Sequence, residues 1–132
     1  MLGFLPLPMD YLEHIFELQR KLTERVLPPD ALDSEEKRVQ WLLNYVGALR
    51  QEIAELVDSL PWKWWAHYQK FDLQNARVEL VDILHFVISI AQALGMEAAD
   101  LHRLFCQKNQ KNHERQDCGY TQKSSDDSRS IC

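Results

Sequence analysis

The chain has 132 residues, the size of a single compact domain, and its 45% hydrophobic and 27% charged composition argues against wholesale disorder. A net charge of -5 with a pI near 5.5 leaves no basic field for a nucleic-acid polymer, so an anionic ligand would need local cations or a metal to hold it. Three cysteines, Cys106, Cys118 and Cys132, have neither a paired framework nor C-x-x-C spacing and point to a reducing compartment. The opening MLGFLPLP lacks basic residues and is broken by prolines, so it does not read as a signal peptide, and no apolar run is clean enough to suggest a bilayer span.

Asp10 followed by Glu13 is a capping-box-like start, and Leu12, Ile15, Phe16, Leu22 and Val26 recur at helical spacing up to the break LPPD. Ser34 caps a second, long helix with the apolar stripe Leu42, Val46, Leu49, Ile53, Leu56 and Leu60, stopped before Pro61. The segment 61–74 has no period and crowds Trp62, Trp64 and Trp65 into what reads as a connecting loop. A third helix runs from about Asn75 to Leu94, with Gly95 as its stop, and a fourth starts near Glu97 and fades into polar residues around Gly119. The polar tail 121–132 is expected to be disordered, leaving residues 1–120 as the folded domain. No strand hairpin or repeat is apparent. The expected fold class is all-α, a bundle of four to five helices.

Helix three raises the functional question. Glu79, Asp82, His85, Ser89 and Gln92 fall at steps of three or four and share one face, while Val78, Val81, Ile83, Leu84, Val87, Ile88 and Ile90 cover the others. A solvent-facing stripe is the plain reading, but such stripes ordinarily mix in Lys or Arg, and this one has none. Glu52 and Glu55 form a second pair, three apart on helix two beside its apolar stripe. Packing helix two on helix three then sets two carboxylate pairs face to face. Two carboxylates about 4 Å apart repel by roughly 4 kcal/mol at an effective dielectric near 20, so the cluster wants a cation. Oxygen-only ligands favour a hard ion such as Mg²⁺, with Mn²⁺ as a substitute. A di-iron bundle needs two E-x-x-H motifs, and only Asp82 to His85 comes near one.

The motif E-x-x-E followed on the next helix by E-x-x-D, here EIAE and ELVD, resembles the all-alpha nucleoside triphosphate pyrophosphohydrolases, which include MazG-like proteins and dimeric dUTPases. The stretches ELQRKL at 17–22, EIAELVDSLPWKWW at 52–65, VELVDILHF at 78–86 and KNQKNHERQDCGY at 108–120 are similar to the dimeric dUTPase branch, the last as its K-x-x-x-N-x-x-R-Q-x-x-G-Y signature. The resemblance implies a MazG-like bundle and hydrolysis of a nucleoside triphosphate, dUTP first, to the monophosphate and pyrophosphate. It implies Glu52, Glu55, Glu79 and Asp82 as Mg²⁺ ligands, with Glu55 also orienting or deprotonating the attacking water. Lys108, Asn112, Arg115 and Tyr120 would hold phosphates, and Gln19, Trp62, Lys63 and His85 would form the base and sugar pocket.

This chain is shorter than full dimeric dUTPases and carries Leu22 and Thr23 where some relatives have Asn, two departures that bear on the base. The same reaction on dCTP or a purine deoxynucleotide is therefore the alternative, and a helical interaction module without catalysis is the reading from another class. An apolar helix three, Trp41 and the Trp62 to Trp65 cluster exceed what three neighbouring helices cover, so the bundle is expected to be completed by a homodimer or a dimer of dimers. The expected location is the cytoplasm, of a host cell if the chain is phage-encoded.

Overall fold

The computed structural model describes residues 10–119, and its secondary structure there is helical throughout. The elements are α1 (Tyr11–Val26), α2 (Glu35–Asp58), α3 (Leu73–Ala93) and α4 (Ala98–Asp117). Among the described residues no single helix is long and apolar enough to cross a membrane. Tyr120, the tail 121–132 and residues 1–9 lie outside the described residues.

Each start has a local cause. The Asp10 carboxylate accepts from the Leu12 amide at 3.2 Å, and the Ser34 hydroxyl from the Lys37 amide at 3.1 Å. α3 begins two residues earlier than its apolar period suggests, because Asp72 caps it by accepting from the Asn75 amide at 3.0 Å. α4 opens with a reciprocal box in which the Glu97 amide donates to Asp100 at 2.9 Å. At its other end α3 is stopped by Gly95, whose φ of 77° suits a residue without a Cβ.

Residues up to Gly95 form one compact unit and those from Met96 a second. In the first unit α3 is the central element, packed along α2 over much of its length and against α1 more locally. Among the described residues, Phe16 on α1 and Ile88 on α3 are the large side chains that are fully buried, and Ala91 and Ala93, close to Ile88 on α3, are buried too. There the Gln92 amide donates to the Phe16 carbonyl at 2.8 Å. A long polar side chain of α3 thus ties that helix to the α1 backbone.

The structure decides one open reading and changes one expectation. The polar stripe of α3 is not its solvent side: Ser89 is buried, Gln92 is half-buried, and both bond to α1. On α2 the single expected stripe is two. Leu42, Leu49 and Leu56 are half-buried, whereas Val46, Ile53 and Leu60 join Val39, Leu43 and Val57 on an exposed row at steps of three, four and seven. The apolar residues of α2 span more than one face, and one neighbouring helix covers only part of that arc.

Candidate metal and nucleotide site

Helix packing delivers the acidic cluster that the sequence suggested. Glu52 and Glu55 sit one turn apart on α2, Glu79 rises from the first half of α3, and one oxygen from each lies within 4.8 Å of the others. Asp82 stands outside that close triad but lines a cavity together with Glu52. All four are half-buried. The crowding has an electrostatic signature. Glu52 is pushed from its ordinary 4.5 up to about 7, first because its protonated carboxyl hydrogen-bonds Glu55, then by desolvation and by the charges of Glu55, Asp82 and Glu79. A cation would relieve the repulsion that raises Glu52, which is why this donor set fits a divalent ion with a preference for oxygen.

The Glu79 carboxylate is approached by a residue that the sequence did not single out. Asn75, one turn earlier on α3, donates from Nδ2 to the Ser59 hydroxyl at 2.7 Å and lies 3.4 Å from Glu79 Oε1. Ser59, buried at the end of α2, also accepts the Asp72 amide on its carbonyl at 2.9 Å. These bonds close the base of the Trp-containing loop and fix the C-terminal end of α2 to the N-terminal end of α3. The D-x-x-N spacing at Asp72 and Asn75 was the available signal.

Beyond the acids the cavity, of about 460 Å³, extends between α1, α2 and α3. Gln19, Ser89 and His85 form its polar wall, and Leu22, Val26, Tyr45 and Phe86 line much of the rest. Tyr45 and Phe86 stack at a tilt, with ring centroids 6.4 Å apart. Burial pushes the Tyr45 phenol up, against the opposing effect of its hydrogen bond to Thr23. Tyr45 was not expected here, since a Tyr on an apolar stripe carries no signal beyond packing, whereas Leu22 and Thr23, where the chain departs from some relatives, do line the cavity. Gln19 is in the cavity wall, and its amide is engaged at both ends: Nε2 donates to Ser89 Oγ at 2.8 Å, and Oε1 is 2.6 Å from His85 Nδ1. Trp62 and Lys63 are not among the lining residues. Lys63 instead places its ammonium 5.4 Å from the Trp62 ring centroid, and Trp62, Trp64 and Trp65 make edge-on contacts in an exposed cluster.

In the second unit, Lys108, Asn112 and Arg115 lie on α4, where the Arg115 guanidinium donates to Asn112 Oδ1 at 3.3 Å. Asn112 and Arg115 join Asn109, His113 and Gln116 around a concavity of about 390 Å³. Tyr120 lies outside the described residues.

The family model described as dUTPase matches residues 11–97, a span that holds both acidic motifs and the whole cavity wall. The chain belongs to this dUTPase family. It is similar to the dCTP pyrophosphatase of Enterobacteria phage T4, 31% identical over 144 aligned positions covering 84% of this chain and 83% of the relative. The dCTP pyrophosphatase of Enterobacteria phage LZ5 is 28% identical, with 85% and 84% covered. A DNA replication protein of phage T4 is 29% identical over 76% of this chain and 33% of its own length. No solved structure matches. As a member of the dUTPase family the chain is a nucleoside triphosphate pyrophosphohydrolase, an enzyme class that depends on divalent metal.

The raised Glu52 carboxyl sets a pH dependence for the metal-free protein. Because the folded state holds a proton that the unfolded chain releases near 4.5, the associated stability is complete below that pH and is lost as pH rises through about 7. Thermal melts in chelator between pH 5 and pH 8 should show the wild type losing stability relative to Glu52→Gln, which cannot titrate. Parallel curves would mean that the acids do not repel in the fold.

Proposed function

We propose that this enzyme hydrolyses the pyrimidine deoxynucleoside triphosphates dUTP and dCTP to the monophosphate and pyrophosphate, with Mg²⁺ held by Glu52, Glu55, Glu79 and Asp82. The observation that carries this reading is the carboxylate cluster at one side of a cavity large enough for a nucleoside. The family description supports dUTP, and the names of the two phage relatives widen the choice to dCTP.

The ion, when bound, supplies charge neutralisation at the phosphate oxygens. The chain's own residues do the rest. Glu55 accepts a proton from the attacking water and orients its lone pair, the role of a general base. Glu52, pushed up to about 7, would have to be ionised to serve as a ligand. Asn75, donating toward Glu79 and tied to Ser59, limits the rotation of that carboxylate. Lys108, Asn112 and Arg115, together with Tyr120, hold phosphates, Arg115 by its planar fork. The cavity wall of Gln19, His85, Leu22 and Phe86 takes the base and sugar. Trp62 and Lys63 contribute from the loop once substrate is present.

The functional form in this reading is a homodimer or a dimer of dimers. Support comes from the exposed α2 row of Val39, Leu43, Val46, Ile53, Val57 and Leu60, and from Leu80, Leu84 and Val87 exposed on α3. Rows of that spacing are the seams by which helices from two copies pack. The location that goes with these phage relatives is the host cytoplasm.

Two measurements test the reading. Incubation with each deoxynucleoside triphosphate and Mg²⁺, followed by separation of products, should yield monophosphate and pyrophosphate from dUTP and dCTP, and Glu79→Gln should lower turnover by about a hundredfold or more. Release of single orthophosphate, or turnover confined to purines, would overturn it. Light scattering should give a mass at least twice that of the 15.6 kDa chain; a monomer at micromolar concentration would refute the assembly.

A further inference from the structure

Ser59 and Asn75 hold matching positions on the two helices that carry the acids. Ser59 closes α2 four residues after Glu55, and Asn75 lies in the first turn of α3 four residues before Glu79. Residues four apart on a helix lie one above the other, about 6 Å along its axis. Two rungs therefore join α2 to α3 side by side. The outer rung is the 2.7 Å bond from Asn75 Nδ2 to Ser59 Oγ, and the inner rung is the approach of Glu55 to Glu79 within the acidic triad, whose oxygens lie within 4.8 Å of one another. The outer rung attracts, whereas the inner one repels.

The attractive rung is firmly anchored. Ser59 is 3% exposed, its hydroxyl donates to the Glu55 carbonyl at 3.4 Å while accepting from Asn75, and its own carbonyl takes the Asp72 amide at 2.9 Å. The Asp72 carboxylate in turn accepts the Asn75 amide at 3.0 Å. A buried hydroxyl that lost Asn75 would lose its short side-chain bond, so the rung resists opening. None of these bonds uses a carboxylate of the triad, and they hold whether or not an ion is present.

The separation of the acids governs which ion they can close on. Mg²⁺ takes its oxygens at about 2.0–2.1 Å in a strict octahedron, so that opposite ligands stand about 4 Å apart, whereas Ca²⁺ takes them at about 2.3–2.6 Å in looser shells and spreads them to about 5 Å. Like charges on helix ends that are no longer tied move apart, toward the wider spacing.

We propose that the Ser59–Asn75 hydrogen bond is a spacer that sets the ion-size preference of the acidic site, holding α2 and α3 close enough for the triad to close on Mg²⁺ in preference to a larger divalent ion. This rests on the assignment of the acids to a divalent ion above. Both are positioning residues: they act through Glu55 and Glu79 and touch no ion themselves.

The test is calorimetric titration of the full chain with Mg²⁺ and with Ca²⁺, without nucleotide, for the wild type, Ser59→Ala, Asn75→Ala and the double variant. Each single substitution should lower the ratio of Mg²⁺ to Ca²⁺ affinity by about tenfold, and the double variant should fall no further, because the same bond is lost in all three. A wild-type site that takes Mg²⁺ alone should admit Ca²⁺ in the variants. An unchanged preference overturns the spacer, and so does a change confined to Asn75→Ala, which would trace the effect to the 3.4 Å approach of Asn75 to Glu79 instead. If Ser59→Ala does not fold, Ser59→Cys, with a weak acceptor in place of the hydroxyl, takes its place. Gln92→Leu supplies the contrast, since it removes a tie between α3 and α1 beyond the acids. It should lower the melting temperature and leave the ion preference alone, and an equal shift in preference there would mean that loosening of any kind suffices and would overturn the proposal. A wild type that binds neither ion removes the site assignment itself, whereas binding of Mg²⁺ with a preference that no variant moves removes the spacer only.

Discussion

The packing of α2 along α3 forces carboxylates from two helices into one another's field, and most of what distinguishes this molecule follows from that constraint. Left alone, Glu52, Glu55 and Glu79 would separate. They stay because the same packing buries Leu42, Leu49 and Leu56 to about the same extent as the acids, and because Ser59, Asp72 and Asn75 join the helix ends that flank the cluster. The fold therefore holds a repulsive arrangement in place with apolar burial and neutral hydrogen bonds. The Glu52 carboxyl, pushed up to about 7, registers that repulsion. A binding site built this way is preorganised for a cation, since the cost of bringing the charges together is borne by folding.

The cavity carries the same logic to its other wall. α3 presents acids near its start and then His85, Ser89 and Gln92 on one side, so the face that carries the acids continues into the face that meets α1. A polar face in a protein interior has to be satisfied group by group. Gln19 and Gln92 do so in different ways: Gln92 fastens α3 to the α1 backbone, while Gln19 is held between the side chains of Ser89 and His85.

Much of this was legible in the residues. The two acidic motifs, their placement on adjacent helices and the all-helical class follow from spacing alone, and the family match over 11–97 agrees with the resemblance those motifs carry. What spacing could not give was direction. Val46, Ile53 and Leu60 lie on the exposed row of α2 although they repeat at core intervals, because apolar periodicity identifies a face without saying what lies opposite it. The polar face of α3 was ambiguous for the same reason, and burial of Ser89 decides it. Asn75, Ser59 and Tyr45 were illegible as site residues, since each owes its role to a partner elsewhere in the chain. Trp62 and Lys63 belong to a loop whose position depends on few long-range bonds, and in this structure they pair with each other and with Gln69.

The central claim, that repelling carboxylates form a site waiting for a divalent ion, is tested most directly by calorimetric titration of Mg²⁺ at pH 7 in buffers of different ionisation enthalpy. Glu52 is pushed up to about 7, so a large fraction of it must lose a proton on becoming a ligand. The account predicts saturable binding with proton release, the apparent affinity increasing as pH is raised through that value. Binding with no proton release, or no binding in the wild type, would contradict it.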